Sequence, residues 1–191
     1  MIVAGIDPGQ AKTAVTWGPG PEPADCTSRL YKSDRLGDSP RARVKRIEVH
    51  VANILRDLDE VKPRVIFIEQ YSFGQGSGQV SRLAYAGEWR SILYWHLLDI
   101  TPRIYEVAPG THKKFVTGSG RSNKAGIITK LAQLGYDVGS DDEYDAIGLY
   151  RMALAACGLM ETRTQYEDEA IATVVKGDRE SLLALKSPPP F

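Results

Sequence analysis

Four acidic residues at the ends of apolar or helical segments constrain this chain more than any other feature. Asp7 follows the N-terminal apolar run, and Glu69 ends a second run, Val65–Ile68. Asp142 and Asp145 lie three residues apart at the start of a helical pattern. An unpaired carboxylate at the end of a buried strand costs several kcal/mol, or its pKa rises until it is neutral. The set therefore indicates a compensating cation, and Mg²⁺ fits because it prefers carboxylate and phosphate oxygens.

Each acid also has a simpler interpretation when it is taken alone. Asp7 precedes Pro and Gly and could only form a turn, and Glu69 could be the solvated end of a strand. Asp142 and Asp145 could only complement a helix dipole, with Asp141 as the N-cap of that helix. The metal-site hypothesis is stronger for the set, because all four acids lie where a sheet is expected to meet a helix.

Composition restricts the class of protein. A chain of 191 residues fits one globular domain with an appendage. Its 24 basic and 24 acidic residues give zero net charge, which argues against a uniform nucleic-acid-binding surface but allows a local basic patch. The two cysteines, Cys26 and Cys157, form no C-x-x-C motif, so a cytoplasmic protein without disulfides or zinc is expected. No apolar run approaches the roughly 18 residues of a membrane span, and no signal peptide is predicted, so no membrane partner is expected.

Hydrophobic periodicity predicts alternating strands and helices. The predicted strands are 2–6, 13–17, 29–33, 64–68 and 103–107, and the predicted helices are 40–60, 83–98, 109–116, 123–134 and 141–156. Ser39 and Pro40 provide an N-cap and an N1 proline for the first helix, and Gly135 and Gly158 follow the last two. This order predicts an α/β or α+β domain with a mixed sheet.

The predicted helix 83–98 is apolar on most faces, which indicates burial in the core or at a subunit interface. This helix carries more aromatic side chains than a small core needs, namely Trp89, Tyr94 and Trp95. We therefore expect a homodimer through this helix. Beyond residue 158, apolar spacing predicts short helices packed on the domain or across the dimer, and residues 187–191 form a Pro-rich tail.

Four motifs give the chain a resemblance to a known family. They are Gly5-Ile6-Asp7-Pro8-Gly9, Ile68-Glu69-Gln70, a Lys-x4-Gly-x-Gly-x3-Lys segment from Lys113 to Lys124, and Asp142-Glu-Tyr-Asp145-Ala146. With these motifs, residues 1–157 resemble the RuvC-type Holliday-junction resolvases of the RNase H-like fold. The resemblance implies a mixed sheet flanked by helices in a nuclease domain at 1–158. The helical extension at 159–191 has no counterpart in the family core.

The resemblance also implies an activity. The family's four acids hold two divalent cations, so Asp7, Glu69, Asp142 and Asp145 are expected to bind two Mg²⁺ ions, with Mn²⁺ as a substitute. Such a site would hydrolyse a phosphodiester bond. The expected function is a metal-dependent, structure-selective DNA endonuclease, acting as a dimer on Holliday junctions or other branched DNA.

The DNA-contacting residues are expected around the lysine motif and the loop after Glu69. Lys113 and Lys124 are expected at the scissile phosphate, with Lys114 and Arg121 as neighbouring DNA contacts. His112 is interpreted as a surface residue rather than a proton-transfer group.

Aromatic residues of the loop after Glu69 could stack on unpaired bases at a branch point. The family's stacking aromatic falls on Ser72 here, so Tyr71 or Phe73 would have to take that role. An equally good interpretation is that both aromatic rings pack under the loop.

Two other functions stay open at this point. A related RNase H-like nuclease could act on RNA or on flaps, and an inactive protein could bind branched DNA without cutting it. The intact set of four acids argues against the second. The sequence leaves open whether the source is a bacterium or a bacteriophage.

Overall fold

The computed structural model describes residues 1–34, 37, 39–70 and 80–186, with side chains for all of these except 80–86 and 186. Its strands are β1 (Val3–Pro8), β2 (Lys12–Gly18), β3 (Thr27–Lys32), β4 (Val65–Glu69) and β5 (Ile104–Val107). Its helices are α1 (Pro40–Val61), α2 (Val80–Ile100), α3 (Pro109–Thr117), α4 (Lys124–Ala132), α5 (Asp141–Ala156), α6 (Gln165–Val175) and α7 (Arg179–Leu183). The predicted order of strands and helices is confirmed.

The strands form one mixed sheet in the order β3-β2-β1-β4-β5. β1 and β2 are antiparallel neighbours joined by the predicted turn, and β2 pairs antiparallel with β3. β4 lies parallel to both β1 and β5. Parallel neighbours need a crossover connection, and α1 and α2 belong to the two crossovers. The predicted α/β mixed sheet is therefore confirmed.

Local sequence signals fix the ends of several helices. The Ser39 hydroxyl accepts a hydrogen bond from the main-chain N–H of Ala42, with Pro40 in the first turn, as predicted. The prediction that Asp141 is the N-cap of α5 is wrong. Ser140 is the N-cap, and its hydroxyl accepts a hydrogen bond from the main-chain N–H of Glu143. Serine is favoured at this position because its short side chain reaches the free N–H groups of the first turn.

The sheet separates two apolar cores. Side chains alternate along β1, so that Ala4 and Ile6 pack with α1 and α2, whereas Val3 packs with α5 on the opposite face. Gly5 faces α5 at very close range, since a Cβ there would collide with the main-chain nitrogen of Tyr150. Glycine at this position therefore lets α5 lie directly on β1.

The C-terminal helices pack on the same face as α5. Ala170, Ile171 and Val175 of α6 and Leu182 of α7 are buried in the core that contains Phe115 of α3. These helices were expected to pack either on the domain or across a dimer, and in this chain they pack on the domain. None of the described helices is long and apolar enough to span a membrane.

The two tryptophans of α2 have different environments. Trp89 is 1% exposed and belongs to the core with Leu93 and Leu97, whereas Trp95 is 73% exposed. The expectation that both tryptophans lie at an interface is therefore wrong for Trp89. The helix turns one stripe towards the sheet and the opposite stripe, with Trp95 and Leu98, towards solvent.

Candidate active site

Asp7 and Glu69 are brought together by the parallel pairing of β1 and β4. Ile6 lies opposite Ile68, so the next residues along the two strands are Asp7 and Glu69. Alternation along β1 turns Asp7 to the same face as Gly5, towards α5. The two carboxyl groups are close enough for each to shift the pKa of the other. Two residues that are 62 positions apart in the sequence thus form one acidic pair.

The first turn of α5 adds Asp142 and Asp145 to this pair. Burial, followed by the charges of Glu69, Asp145 and Asp142, raises the pKa of Asp7 to about 8. Burial also raises the pKa of Asp145 to about 6, with Glu69 among the charges that contribute. The four acids predicted from the sequence therefore lie within electrostatic range of one another, and their mutual repulsion is relieved either by protonation or by a nearby positive charge.

Lys124, at the start of α4, lies beside these carboxylates. Its Nζ is 2.7 Å from Asp141 Oδ2, 3.7 Å from Asp142 Oδ1 and 3.8 Å from Asp145 Oδ2. Burial alone would lower the pKa of Lys124, but the hydrogen bond to Asp141 and the neighbouring carboxylates raise it instead. Asp141, expected only as a cap, is thus the closest of the three carboxylates to this lysine.

Lys113, in α3, also influences the site. Burial raises the pKa of Glu69, and the nearby charges of Arg90, Lys113 and Lys124 oppose that rise. Both lysines that were predicted to contact the scissile phosphate therefore lie within electrostatic range of an acid of the cluster.

The chemistry of the four carboxylates fits a hard divalent cation. Carboxylate oxygens select Mg²⁺ or Mn²⁺ over the softer metals that thiolates bind. In the described residues, however, no three His, Cys, Asp or Glu side chains are arranged to hold one metal ion. Asp7 lies beside Glu69, while Asp142 and Asp145 face Lys124.

Of the other predicted DNA contacts, Lys114 pairs with the C-terminal region rather than with the four carboxylates. Its Nζ is 2.7 Å from Glu169 Oε2 of α6. Arg121 is exposed in the loop between α3 and α4. Tyr71 and Phe73 lie outside the described residues.

The expectation that His112 is a surface residue is wrong. The ring is 1% exposed and lies against Gly148 of α5, where a Cβ would collide with His112 Nε2. The close packing of α3 on α5 therefore buries the imidazole. Burial lowers the pKa of His112 to about 4.

Sequence reasoning missed Arg90 of α2. The residue is 9% exposed, and its guanidinium donates a hydrogen bond to the main-chain carbonyl of Glu69. A signal was present, because Arg90 precedes the buried Leu93 and Leu97 by three and seven residues and so lies on the apolar stripe of the helix. A charged residue on such a stripe needs a specific partner.

Comparison with solved structures gives independent information on the fold. The chain is similar to the structure of Thermus thermophilus RuvC, with 20% identity and a TM-score of 0.59 over 82% of this chain and 95% of that chain. The T. thermophilus RuvC in complex with a Holliday junction substrate has 21% identity and a TM-score of 0.57, over 78% of this chain and 90% of that chain. The yeast mitochondrial Holliday junction resolvase Ydc2 has 14% identity and a TM-score of 0.53, over 96% of this chain and 83% of that chain.

No family model matches the chain, and no curated protein does. The three structures come from a bacterium and from yeast, so they give no support to a phage origin. At this level of identity the similarity concerns the fold, and it extends over most of the chain. The chain therefore has the fold of the RuvC-type Holliday junction resolvases, as its motifs predicted.

Proposed function

We propose that the protein is a metal-dependent endonuclease that cuts branched DNA, with the Holliday junction as its main substrate. One observation carries the proposal: Asp7, Glu69, Asp142 and Asp145 converge at one edge of a RuvC-like sheet, beside Lys124. Among the similar structures, one is a complex with a Holliday junction substrate. The raised pKa of Asp7 supports a functional role, because strongly perturbed carboxyl groups are concentrated in active sites.

Asp7, Glu69, Asp142 and Asp145 would hold two divalent cations, Mg²⁺ or Mn²⁺ as its substitute. When bound, the two cations would activate a water molecule and stabilise the leaving oxygen of the phosphodiester. The protein itself provides the fixed positions of the carboxylates. β1 and β4 fix Asp7 and Glu69 through main-chain pairing, and the capped first turn of α5 fixes the other two.

Lys124 and Lys113 would act on the substrate rather than on the metal, because an ammonium group donates hydrogen bonds and cannot ligate a cation. The position of Lys124, beside Asp142 and Asp145, puts positive charge where the phosphate oxygens of a bound strand would lie. Its bond to Asp141 is exposed on both sides, so an incoming phosphate could replace it at little cost.

A homodimer would suit the substrate. A four-way junction has two-fold symmetry, so a two-fold dimer would present two active sites to two equivalent strands. The exposed side chains of Trp95 and Leu98 on α2 support an interface at this helix. Cys26 is a free thiol, which supports a reducing compartment such as the cytoplasm.

The proposal is tested by incubating the protein with labelled four-way junction, flap, duplex and RNA-containing substrates, with Mg²⁺ and with EDTA. The expected result is paired cuts in the junction that require Mg²⁺ and disappear in Asp7→Asn. That variant keeps the size of the side chain and removes its charge, so junction binding in EDTA should persist. If flaps or RNA were cut faster than the junction, they would be assigned as the substrate instead of the Holliday junction. Binding without cutting in any metal would favour an inactive DNA-binding module.

A further inference from the structure

A cavity of about 500 Å³ lies next to the carboxylates, between the β1–β2 turn and α2. Residues 8–12 of the turn form one wall, Trp89 and Arg90 form the other, and Asp142 lies at its border. We propose that this cavity binds a phosphate of the substrate strand beside the one that is cut. The inference rests on the proposed function and adds a binding residue, Arg90, that lies outside the four sequence motifs.

The turn that forms the first wall is tightly constructed. A Cβ at Gly9 would collide with the carbonyl oxygen of Lys12, so the turn closes on itself more tightly than a larger residue would allow. The Thr13 hydroxyl donates to the Gly9 carbonyl at 2.9 Å and lies 3.0 Å from Nε2 of the buried His50. These contacts anchor the turn to β2 and α1, so the cavity wall is preformed.

The second wall supplies the groups that an oxyanion needs. The Arg90 guanidinium is buried and oriented by its hydrogen bond to the Glu69 carbonyl. A guanidinium is planar, permanently charged and well suited to phosphate oxygens. Because Arg90 is already held in place, little side-chain entropy would be lost when it binds a phosphate.

Trp89 adds a neutral donor to this wall. Its side chain is 1% exposed, and within the described residues its Nε1 has no hydrogen-bond partner. An indole N–H can only donate, so the missing partner must be an acceptor. Trp89 is one of the residues that line the cavity, so we infer that an oxyanion bound there is this acceptor.

Charge and position identify the kind of anion. Among the described residues that line the cavity, the charged ones are Lys12, Arg90 and Asp142, so the bases outnumber the acid. Asp142 also belongs to the four acids, so an anion in the cavity would be a close neighbour of the cut phosphate. In a nuclease, the anion next to the cut phosphate is the neighbouring phosphodiester of the same strand.

The test measures junction binding in EDTA, so that neither cutting nor metal binding contributes. Affinity is determined by fluorescence anisotropy over a series of NaCl concentrations for wild type, Arg90→Gln, Arg90→Lys and Trp89→Phe. Arg103→Gln and Trp17→Phe are the matched controls, because both residues lie at the other end of the strands. Thermal melts of each variant confirm that it is folded.

Arg90→Gln should lower the affinity about tenfold and flatten the log–log salt dependence by about one unit, since one phosphate contact is lost. Arg90→Lys should keep the slope because it keeps the charge. Trp89→Phe should weaken binding with an unchanged slope, because it removes a neutral donor. The two controls should match wild type.

A folded Arg90→Gln with the wild-type slope and affinity would overturn the subsite and leave the proposed function intact. If Arg90→Gln does not fold, the test rests on Arg90→Lys and Trp89→Phe. Wild-type affinity in both of these variants would then overturn the subsite. Absence of junction binding by wild type would instead reject the proposed function and the subsite together. A loss in Arg103→Gln equal to that in Arg90→Gln would show general electrostatic binding and would also overturn the subsite.

Discussion

Lys124 and Lys114 show how single residues of one basic motif differ in role. Lys124 lies among Asp141, Asp142 and Asp145, whereas Lys114 pairs with Glu169 of α6. Lys124→Ala should therefore slow junction cutting about a hundredfold, as the loss of one charge-stabilising donor does in other enzymes. Lys114→Ala should change the rate little. Single-turnover assays with saturating enzyme measure both, and Mn²⁺ titration should show similar metal affinity in the two variants. A larger loss in Lys114→Ala than in Lys124→Ala would contradict the assignment.

His112 gives a second prediction at this scale, on stability. Burial lowers its pKa from 6.5 to about 4, so the unfolded chain binds more protons between these two pH values. The unfolding free energy is therefore unaffected by the titration of this histidine above pH 6.5. It decreases as the pH falls towards 4, by up to about 3 kcal/mol. The difference in unfolding free energy between wild type and His112→Gln should therefore shrink from pH 7.5 to pH 4.5.

Urea denaturation in EDTA at the two pH values measures that difference. His96→Gln is the control, because His96 is exposed on α2 and its removal should have the same small effect at both pH values. A difference for His112→Gln that is independent of pH would show that the buried ring does not remain neutral in the folded protein.

At the scale of elements, the contact between β1 and α5 determines whether the acids meet. Gly5 permits this contact, since a Cβ would collide with the main chain of Ala146 and Tyr150. Gly5→Ala should destabilise the fold by about 1–3 kcal/mol, because main-chain atoms have no rotamer with which to escape an overpacked site. Cutting should fall as well, since α5 carries Asp142 and Asp145. Urea denaturation and the junction assay measure the two effects.

Gly87 of α2 provides the matched control for this substitution. Outside its own helix backbone, a Cβ there would meet no atom of the described residues within 4 Å, and alanine is favoured over glycine inside a helix by about 0.5–1 kcal/mol. Gly87→Ala should therefore be neutral or slightly stabilising. Equal stability of the two alanine variants would show that the β1–α5 contact is looser than described.

At the scale of the whole molecule, the exposed stripe of α2 is the expected contact between two subunits. Trp95 is 73% exposed and Leu98 is 54% exposed, so a charge at Trp95 should break a dimer without disturbing the core. Trp95→Glu should be a folded monomer, while wild type is a dimer by sedimentation. Val44→Glu, at an exposed valine of α1, should remain dimeric. A monomeric wild type at micromolar concentration would contradict the proposed assembly.

Much of the fold followed from local patterns in the sequence. Short apolar runs marked β1 and β4, and periodicity marked the helices to within a few residues of their observed ends. Ser39 identified the start of α1 because capping depends on neighbours within one turn. The prediction that Asp141 caps α5 was wrong. Ser140 and Asp141 are adjacent and both are favourable N-cap residues, so the local pattern did not distinguish between them.

The sequence by itself determined which residues could form the site, because an acid that directly follows an apolar run can be recognised without the structure. Tertiary structure decided the partners: Lys124 with Asp141, Lys114 with Glu169, and Arg90 with the carbonyl of Glu69. It also decided that Trp89 and His112 are buried and Trp95 is exposed. These outcomes depend on strand register and on which stripe of a helix meets the sheet. Both are set by contacts between residues far apart in the chain, which a local pattern does not contain.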